Sequence, residues 1–402
     1  MGRGPAHETL TARPVPVAAG AERDVARRAV IAGGSLAGLA TGLTLGAIGW
    51  RADVFEGSAG AMEDRGAGIV LQPEVAHLLR HHADTDPAAL SVPVDARQYL
   101  DRLGRVVARA RLPQSMTSWE ALYLALAAAF PAERYHVGER LVDVHPDGRV
   151  ARATFATGRS EQADVLVGAD GIRSSVRRRL VPDARPVYAG YVAWRGVVEE
   201  ADLDPDLVRL LVGRFTLFEE PGTQMLAYAI PGREGSVLAG ERRVNWVWYR
   251  TVDPHDLPAL LTDRDGRARV LSLPPGRVRP EVVSAQAALA DRLLPSPFRR
   301  LFDATADPFV QAIHDLAVPR MAFGRAALVG DAAFLLRPHT AASTAKAAAD
   351  AIALARALSE HGDAPVALKR WQRAQLALGW GLHRAGRALG ERLGLGRRAV
   401  RA

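Results

Sequence analysis

A tight cluster of glycines near the start of the chain constrains the fold more than any other feature. The apolar run Ala29-Val30-Ile31-Ala32 leads into Gly33-Gly34-Ser35-Leu36-Ala37-Gly38, and Gly42 follows one helical turn later. This reads as a buried strand, a tight turn and the start of a helix, because glycine permits the turn and lets backbones approach closely. The strand-like Ala52-Asp53-Val54-Phe55-Glu56 comes next and ends on an acid. A dinucleotide site requires this order, with pyrophosphate at the helix N-terminus and a carboxylate for the ribose hydroxyls about 20 residues on. Ser35 stands where the middle glycine of that fingerprint falls, and its hydroxyl can donate to a phosphate instead.

The same stretch has a competing reading. Arg27-Arg28 and the uncharged run from Ala29 to Trp50 have the outline of a twin-arginine signal or a membrane span. The glycines at 33, 34, 38, 42, 46 and 49, and the strand that follows, favour the folded alternative. Residues 1–24, rich in Ala, Pro, Gly and Arg without an apolar period, are expected to be a disordered extension.

With 402 residues, 48% of them hydrophobic, the chain can bury a large core and hold two or three domains. The formal charge of +8 does not point to a nucleic-acid binder. The cations are spread along the chain, Lys346 and Lys369 are the only lysines, and no basic run is interleaved with aromatics. Cysteine is absent, which removes disulfides and thiolate metal sites and fits a reducing cytoplasm. No metal-ligand cluster and no Gly-x-Ser-x-Gly elbow occurs, so redox chemistry would have to come from a bound organic cofactor.

Two more strand ends carry an acid beside glycine. Val165-Leu166-Val167-Gly168-Ala169-Asp170-Gly171-Ile172-Arg173 leads into Ser174-Ser175-Val176-Arg177, and Ala327-Leu328-Val329-Gly330-Asp331-Ala332-Ala333 precedes Arg337-Pro338-His339-Thr340. An acid there can bind a sugar hydroxyl while helix amides receive an anionic group. Taken singly, each is also an ordinary turn. Thr117 to Phe130 and Ser343 to Leu358 are helical in pattern. Val187 to about Val283, with three of the seven tryptophans and several Tyr/Val/Leu runs, reads as a separate sheet-rich module.

In this order the three motifs resemble the flavin-dependent aromatic hydroxylases related to p-hydroxybenzoate hydroxylase, from about Ala29 to Leu358. Arg65 to Pro73, Tyr188 to Gly196 and Arg337 to Lys346 are most similar to the 2,6-dihydroxypyridine 3-monooxygenase branch. The resemblance implies an α/β fold: a Rossmann-like FAD-binding domain of discontinuous segments (25–90, 115–186 and 305–360) with an inserted, sheet-rich substrate domain (91–114 and 187–304). A C-terminal helical segment (361–402) would pack on the FAD domain or against a second subunit in a homodimer.

The resemblance also implies residue roles. Gly33, Ser35, Leu36, Gly38 and Glu56 would hold the ADP half of FAD, and Leu141 would offer its backbone to the adenine. Asp331 would bind the ribityl or pyrophosphate region, with the amides of His339, Thr340, Ala341, Ala342 and Ser343 facing the isoalloxazine. Asp170 and Arg173 would serve both FAD and NAD(P)H docking. The implied reaction is hydroxylation of a small electron-rich aromatic or hydroxypyridine-like ring by O2 through a flavin C4a-hydroperoxide. His339 is the candidate base or orienting group, and Tyr191, Trp194, Arg195 and Tyr228 are candidates for the substrate pocket. Plain packing remains open for each of these five.

The chain departs from the family pattern at Phe334, where a histidine is usual, at Thr340 and Ser343 for glycines, at Ala345 for asparagine and at Trp119 for arginine. Rival readings are oxygenation of a natural-product scaffold, by epoxidation or Baeyer-Villiger-type insertion, and a non-catalytic flavin-binding paralogue. Trp246-Val247-Trp248 resembles a halogenase signature, but Tyr249-Arg250 follow and neither lysine precedes the Asp-Gly motif. Alternating tryptophans read more simply as one face of a strand.

Overall fold

The computed structural model describes residues 27–60 and 68–396. The extension at 1–24, the signature residues Arg65, Gly66 and Ala67, and Arg397-Arg398 lie outside the described residues.

One sheet has six strands in the order Ala322–Phe323, Ala326–Leu328, Val165–Gly168, Arg28–Ala32, Arg51–Glu56 and Tyr135–Val137. The last five are mutually parallel, and Ala322–Phe323 closes one edge as a short antiparallel hairpin. The strands at Arg28–Ala32 and Val165–Gly168 are almost entirely buried and correspondingly apolar, as expected where a parallel sheet is covered on both faces. The three motif acids stand at the carboxyl ends of Arg51–Glu56, Val165–Gly168 and Ala326–Leu328 in one sheet, at the edge where ligands of open α/β sheets collect.

The uncharged run from Ala29 to Trp50 folds as strand and helix, the helix being Leu36–Ala47 of only 12 residues. No helix among the described residues is long and apolar enough to cross a membrane. This helix packs against Ser343–Glu360, where Thr44 Oγ1 donates to the Ala351 carbonyl at 3.3 Å. Glycine and alanine on the first helix and alanine on the second leave little side-chain bulk between the axes.

A ten-stranded sheet forms the second layer, and Phe309–Ala317, Val187–Glu199, Arg243–Thr251 and Thr223–Ile230 are consecutive antiparallel neighbours in it. Gly68–Val70 and Phe309–Ala317, expected with the FAD segments, hydrogen-bond into this sheet instead. Strand alternation sorts the sheet's two faces. Val192, Trp194, Trp246 and Trp248 share a core with Phe298 and Phe302, whereas Tyr191, Ala193, Val247 and Tyr249 lie on the opposite side. Leu141–Pro146, Ala151–Phe155 and Ser160–Ala163 form a small third sheet.

The helix Trp119–Ala129 starts one residue after Ser118, whose hydroxyl accepts from the Ala121 amide at 3.0 Å. The C-terminal segment forms one helix, Ala364–Arg392, lying along Ser343–Glu360. Trp371 Nε1 donates to the Asp350 carbonyl at 3.1 Å, and Gln372 Oε1 accepts from the amides of Met321 and Ala322.

Candidate functional site

The glycine turn is held by contacts that a side chain would abolish. Gly33 has φ +106°, and a Cβ there would lie 2.4 Å from the Ala169 carbonyl oxygen; one on Gly38 would lie 1.8 Å from the Gly33 oxygen. The first crowding couples the turn to the strand end before Asp170. The second closes the helix onto the turn, as the fingerprint requires.

A cleft of about 650 Å³ opens in front of this turn. Gly33, Ser35, Glu56, Leu141, Asp170, Arg173 and Asp331 all line it, drawn from three distant parts of the chain. Leu36 and Gly38 do not: Leu36 is buried in the core, so only its backbone belongs to the helix N-terminus, and Gly38 acts as a spacer. Ser58, Glu139, Arg140 and Arg178 line the cleft too and carry no motif of their own.

The donor set fits a dinucleotide. Ser35 is the helix N-cap, but its side chain makes no capping bond and the first turn holds no acid, so hydroxyl and amides remain for an anion. Glu56 is fixed by the amides of Gly34 and Ser58 at 2.8 and 2.7 Å. Asp170 Oδ2 accepts from the Ser175 amide at 2.6 Å, whereas its buried Oδ1 has no partner. A buried carboxylate oxygen without a donor is costly unless a ligand hydroxyl supplies one. Burial raises the pKa of Asp170, against the hydrogen bonds from Ser174, Ser175 and Val176.

Asp331 is exposed to the cleft, yet protein surrounds it elsewhere, and this burial pushes its carboxyl up to about 6 despite Lys346 and Arg177. Those two cations are themselves buried. Lys346 Nζ pairs with Asp350 at 2.5 Å, Asp350 accepts from the Gly330 amide at 2.9 Å, and the ammonium lies 4.9 Å from the Phe334 ring. Phe334, where the family has histidine, is thus a buried partner of Lys346. Arg177 donates to the carbonyls of Gly171, Ile172 and Ala332, tying the loops of Asp170 and Asp331 together. A periodicity argument treats an arginine after Asp-Gly as a solvated face, so it missed this residue.

The proposed flavin loop runs through a one-turn helix, Pro338–Thr340, into Ala341 at φ +51°. Alanine in the left-handed region is strained where a glycine would not be. The next helix begins at Ser343 with Ala342 as N-cap, so no side chain competes for its first amides.

Beside this loop, Tyr191 Oη and His339 Nε2 are 3.0 Å apart, with nearly parallel rings at 5.7 Å. Tyr249 meets His339 edge-on at 4.9 Å, and Tyr228 stacks on Phe215 at 5.1 Å. Arg337 lies over the Tyr191 ring, locked to Asp315 by bonds of 2.9 and 2.7 Å. Desolvation, reinforced by Arg337, pushes His339 down to about 4. Burial raises Tyr191 and Tyr228 and pushes Tyr249 up to about 12, with Arg195 pulling the last two the other way. At neutral pH these side chains are an uncharged hydrogen-bonding set.

Of the four expected pocket residues, the structure brings Tyr191 to His339 and places Tyr228 and Arg195 on the same side of the sheet. Trp194 is the exception: fully buried, it faces Phe302 at 6.5 Å within the opposite core. It sits three residues from Tyr191 in the strand, and period-2 alternation sends it to the other face. Tyr249, which sequence reasoning passed over, takes its place; its odd spacing from Trp246 and Trp248 was the available signal.

Comparison with known proteins agrees with this geometry. A family model described as FAD binding domain-like matches residues 188–315. The chain is 36% identical over 355 residues to 2,6-dihydroxypyridine 3-monooxygenase of Paenarthrobacter nicotinovorans, covering 88% of each. It is 28% identical over 364 residues to 6-hydroxynicotinate 3-monooxygenase of Pseudomonas fluorescens, covering 83% of each. The solved structure of 2,6-dihydroxypyridine-3-hydroxylase from Arthrobacter nicotinovorans superposes with TM-score 0.87 at 34% identity, over 93% of this chain and 95% of that one. The fold is shared with Klebsiella pneumoniae HpxO, solved with FAD and uric acid, at TM-score 0.74, 21% identity and coverage of 92% and 89%. The glycine turn, the two strand-end acids and these matches together place the chain in the family of FAD-dependent aromatic hydroxylases that includes 2,6-dihydroxypyridine 3-monooxygenase, and it is an FAD-dependent monooxygenase.

Proposed function

We propose that this enzyme hydroxylates a small, electron-rich, hydroxylated ring of the dihydroxypyridine or phenol class, with O2 and NAD(P)H as co-substrates. The observation that carries the reading is the Tyr191–His339 pair beside the loop Pro338 to Ser343, backed by the relatives named for hydroxypyridine substrates. Gly33, Ser35, Glu56, Asp170 and Asp331 would hold FAD, which when bound supplies the oxygen-activating chemistry.

The chain's own residues orient the ring and keep water out. His339 Nδ1 is buried and unpartnered, so a ring hydroxyl can take it as a hydrogen-bond partner. For Nδ1 to accept, Nε2 must hold the proton and donate to Tyr191 Oη; with the opposite tautomer the roles reverse. A histidine held near 4 is a poor store for a phenolic proton, so its part is to orient the hydroxyl rather than to keep its proton. Arg195, whose charge reaches Tyr228 and Tyr249, favours the ionised, more electron-rich form of the ring. We place this NAD(P)H-consuming enzyme in the cytoplasm as a homodimer, with neither nucleic acid nor membrane as a partner; the cysteine-free sequence fits a reducing compartment.

The test is the visible absorption of the purified protein before and after anaerobic NAD(P)H, with and without a panel of dihydroxypyridines and phenols. The expected result is a flavin spectrum whose bleaching one ring class accelerates, followed in air by a hydroxylated product. A flavin that no such ring accelerates would reject the substrate class, and acceleration by a larger scaffold alone would favour natural-product oxygenation.

A further inference from the structure

The helix Ala364–Arg392 ends in a turn that reaches back over the ten-stranded sheet. The Leu395 amide donates to the Gly390 carbonyl at 2.8 Å and the Gly394 amide to that of Glu391 at 3.0 Å, the paired bonds of a Schellman turn, with Gly394 in the left-handed region at φ +68°. The apolar residue after such a glycine often packs on its own helix. Here one position it would cover is Gly390, without a side chain, and Leu395 is buried against the sheet. It is 1% exposed, in one apolar cluster with Tyr191, Ala193, Val247 and Tyr249. Apart from Leu393, every other described member of that cluster lies on a strand of the sheet, so this turn is what covers the end of the face that carries Tyr191 and Tyr249. Close approaches hold it there. The Leu393 carbonyl accepts from the Gly222 amide at 2.8 Å, a Cβ on Gly396 would lie 2.7 Å from the Ala189 oxygen, and one on Gly390 would lie 2.7 Å from Arg337 Nη1 and 3.6 Å from His339 Cδ2. On the outer side, a pocket of about 430 Å³ is lined by Asp315, Arg337, His383 and Glu391. Ala189 lines it and shares the cluster of Leu395, while Arg337 lines it and lies over the Tyr191 ring. One layer of side chains therefore separates a polar pocket from the Tyr191–His339 pair.

We propose that the turn Gly394-Leu395-Gly396 seals the ring site: Leu395 closes the side of the Tyr191–His339–Tyr249 cluster that faces this pocket, and so sets how much of the NAD(P)H consumed yields hydroxylated ring rather than hydrogen peroxide. This rests on the proposed reading that a small ring is hydroxylated beside His339. In the coupled reaction NAD(P)H gives two electrons, one atom of O2 enters the ring and the other leaves as water. With water admitted to the site, the same two electrons leave with two protons on O2 as hydrogen peroxide, and the ring is untouched. Both routes consume one NAD(P)H, one O2 and one proton, so only the product tells them apart. A leucine suits the task because it fills the gap and offers water no polar partner. Gly394 and Gly396, at φ +68° and +102°, let the chain turn tightly enough to insert that one side chain.

The test compares Leu395→Ala, the volume-conserving Leu395→Met, and Leu211→Ala, which opens a similar cavity at a fully buried leucine in the core on the other side of the sheet. Leu395→Val removes less and serves should Leu395→Ala impair folding. Two readouts are taken. Nitration of Tyr191 and Tyr249 by tetranitromethane is mapped by mass spectrometry on the protein without ring substrate, and the hydrogen peroxide formed per NAD(P)H oxidised is measured on the FAD-loaded protein with its ring substrate. The expected result is protection of both tyrosines in wild type, Leu395→Met and Leu211→Ala, nitration of both in Leu395→Ala, and a peroxide share about 3-fold or more above wild type in Leu395→Ala alone, at unchanged FAD content. Tyrosines as protected in Leu395→Ala as in wild type, or nitrated at an unchanged peroxide share, overturn the inference. An equal rise of peroxide in Leu211→Ala makes the effect one of stability and overturns it too. A wild type that hydroxylates no ring of the panel, with its tyrosines nitrated only once Leu395 is shortened, rejects the hydroxylation reading and supports the closure.

Discussion

Arg177 and Ala332, 155 positions apart, are joined by a guanidinium-to-carbonyl hydrogen bond of 3.1 Å. The same buried side chain holds the carbonyls of Gly171 and Ile172, so one cation fixes the separation of the two loops that present Asp170 and Asp331 to the cleft. Arg177→Met leaves those acceptors without a donor and is expected to cost about 2–3 kcal/mol in stability. FAD should bind at least about 10-fold more weakly, and Arg177→Lys should not restore it, because an ammonium lacks the fork. Thermal unfolding and FAD titration measure both effects, and full affinity in either variant would remove the clamp from the cofactor site.

Asp331 should show opposite effects with and without cofactor. Its pKa, raised to about 6, means that ionising it in the fold is unfavourable. The resulting destabilisation is absent below the unfolded carboxyl pKa of about 4, grows as pH rises from there to about 6, and levels off above it. Asp331→Asn should therefore raise the melting temperature of the cofactor-free protein at pH 8 but not at pH 3.5. Asp331→Ala should abolish or sharply weaken FAD retention; full occupancy at unchanged affinity would count against its place in the site.

For His339→Ala, FAD binding should persist while hydroxylation slows and more of the NAD(P)H consumed appears as hydrogen peroxide. Because His339 is pushed down to about 4, no ionisation of this residue should appear in the kcat profile between pH 6 and 9. Its neutral form favours the fold, so the stability it contributes is present above the unfolded pKa of about 6.5 and is lost as pH falls toward 4. The acid limb of the unfolding curve should accordingly flatten in the variant. Unchanged coupling between NAD(P)H use and product would take His339 out of the site.

Gly33→Ala places a methyl group 2.4 Å from the Ala169 oxygen on a backbone of φ +106°. Strain and displacement of the turn should cost about 2 kcal/mol or more and weaken FAD binding together. Gly46→Ala, on the helix that follows and with open space around the new methyl, should be neutral or slightly stabilising by up to about 1 kcal/mol. Equal melting temperatures for the two variants would refute the packing argument.

Lys346→Met breaks a pair in which both side chains are essentially buried, leaving Asp350 to the Gly330 amide alone. A loss of about 3–5 kcal/mol is expected, with partial recovery in the double variant Lys346→Met/Asp350→Asn. Chemical denaturation of the four proteins in that cycle gives the coupling directly.

Much of the ligand cleft was legible in the chain because its requirements are local. A tight turn needs glycine at Gly33, a close helix needs it at Gly38, and an acid at a strand end needs only the strand to be recognised; Gly33, Glu56, Asp170 and Asp331 follow from those rules. The parallel sheet then brings the strand ends together, since apolar runs such as Val165–Gly168 can be buried on both faces nowhere else. Tertiary structure alone decided the rest. Trp194 and Tyr191 share one strand and differ only in which face they present, and that depends on where the helix bearing Phe302 packs. Arg177 looks like a surface charge in sequence and becomes a fixed cation only when Ala332 arrives to meet it, while Lys346 and Asp350, neighbours on one helix, are buried only because other helices pack over them. Local propensity is set by neighbours along the chain, whereas the burial and partners of a charge are set by segments that meet only after folding.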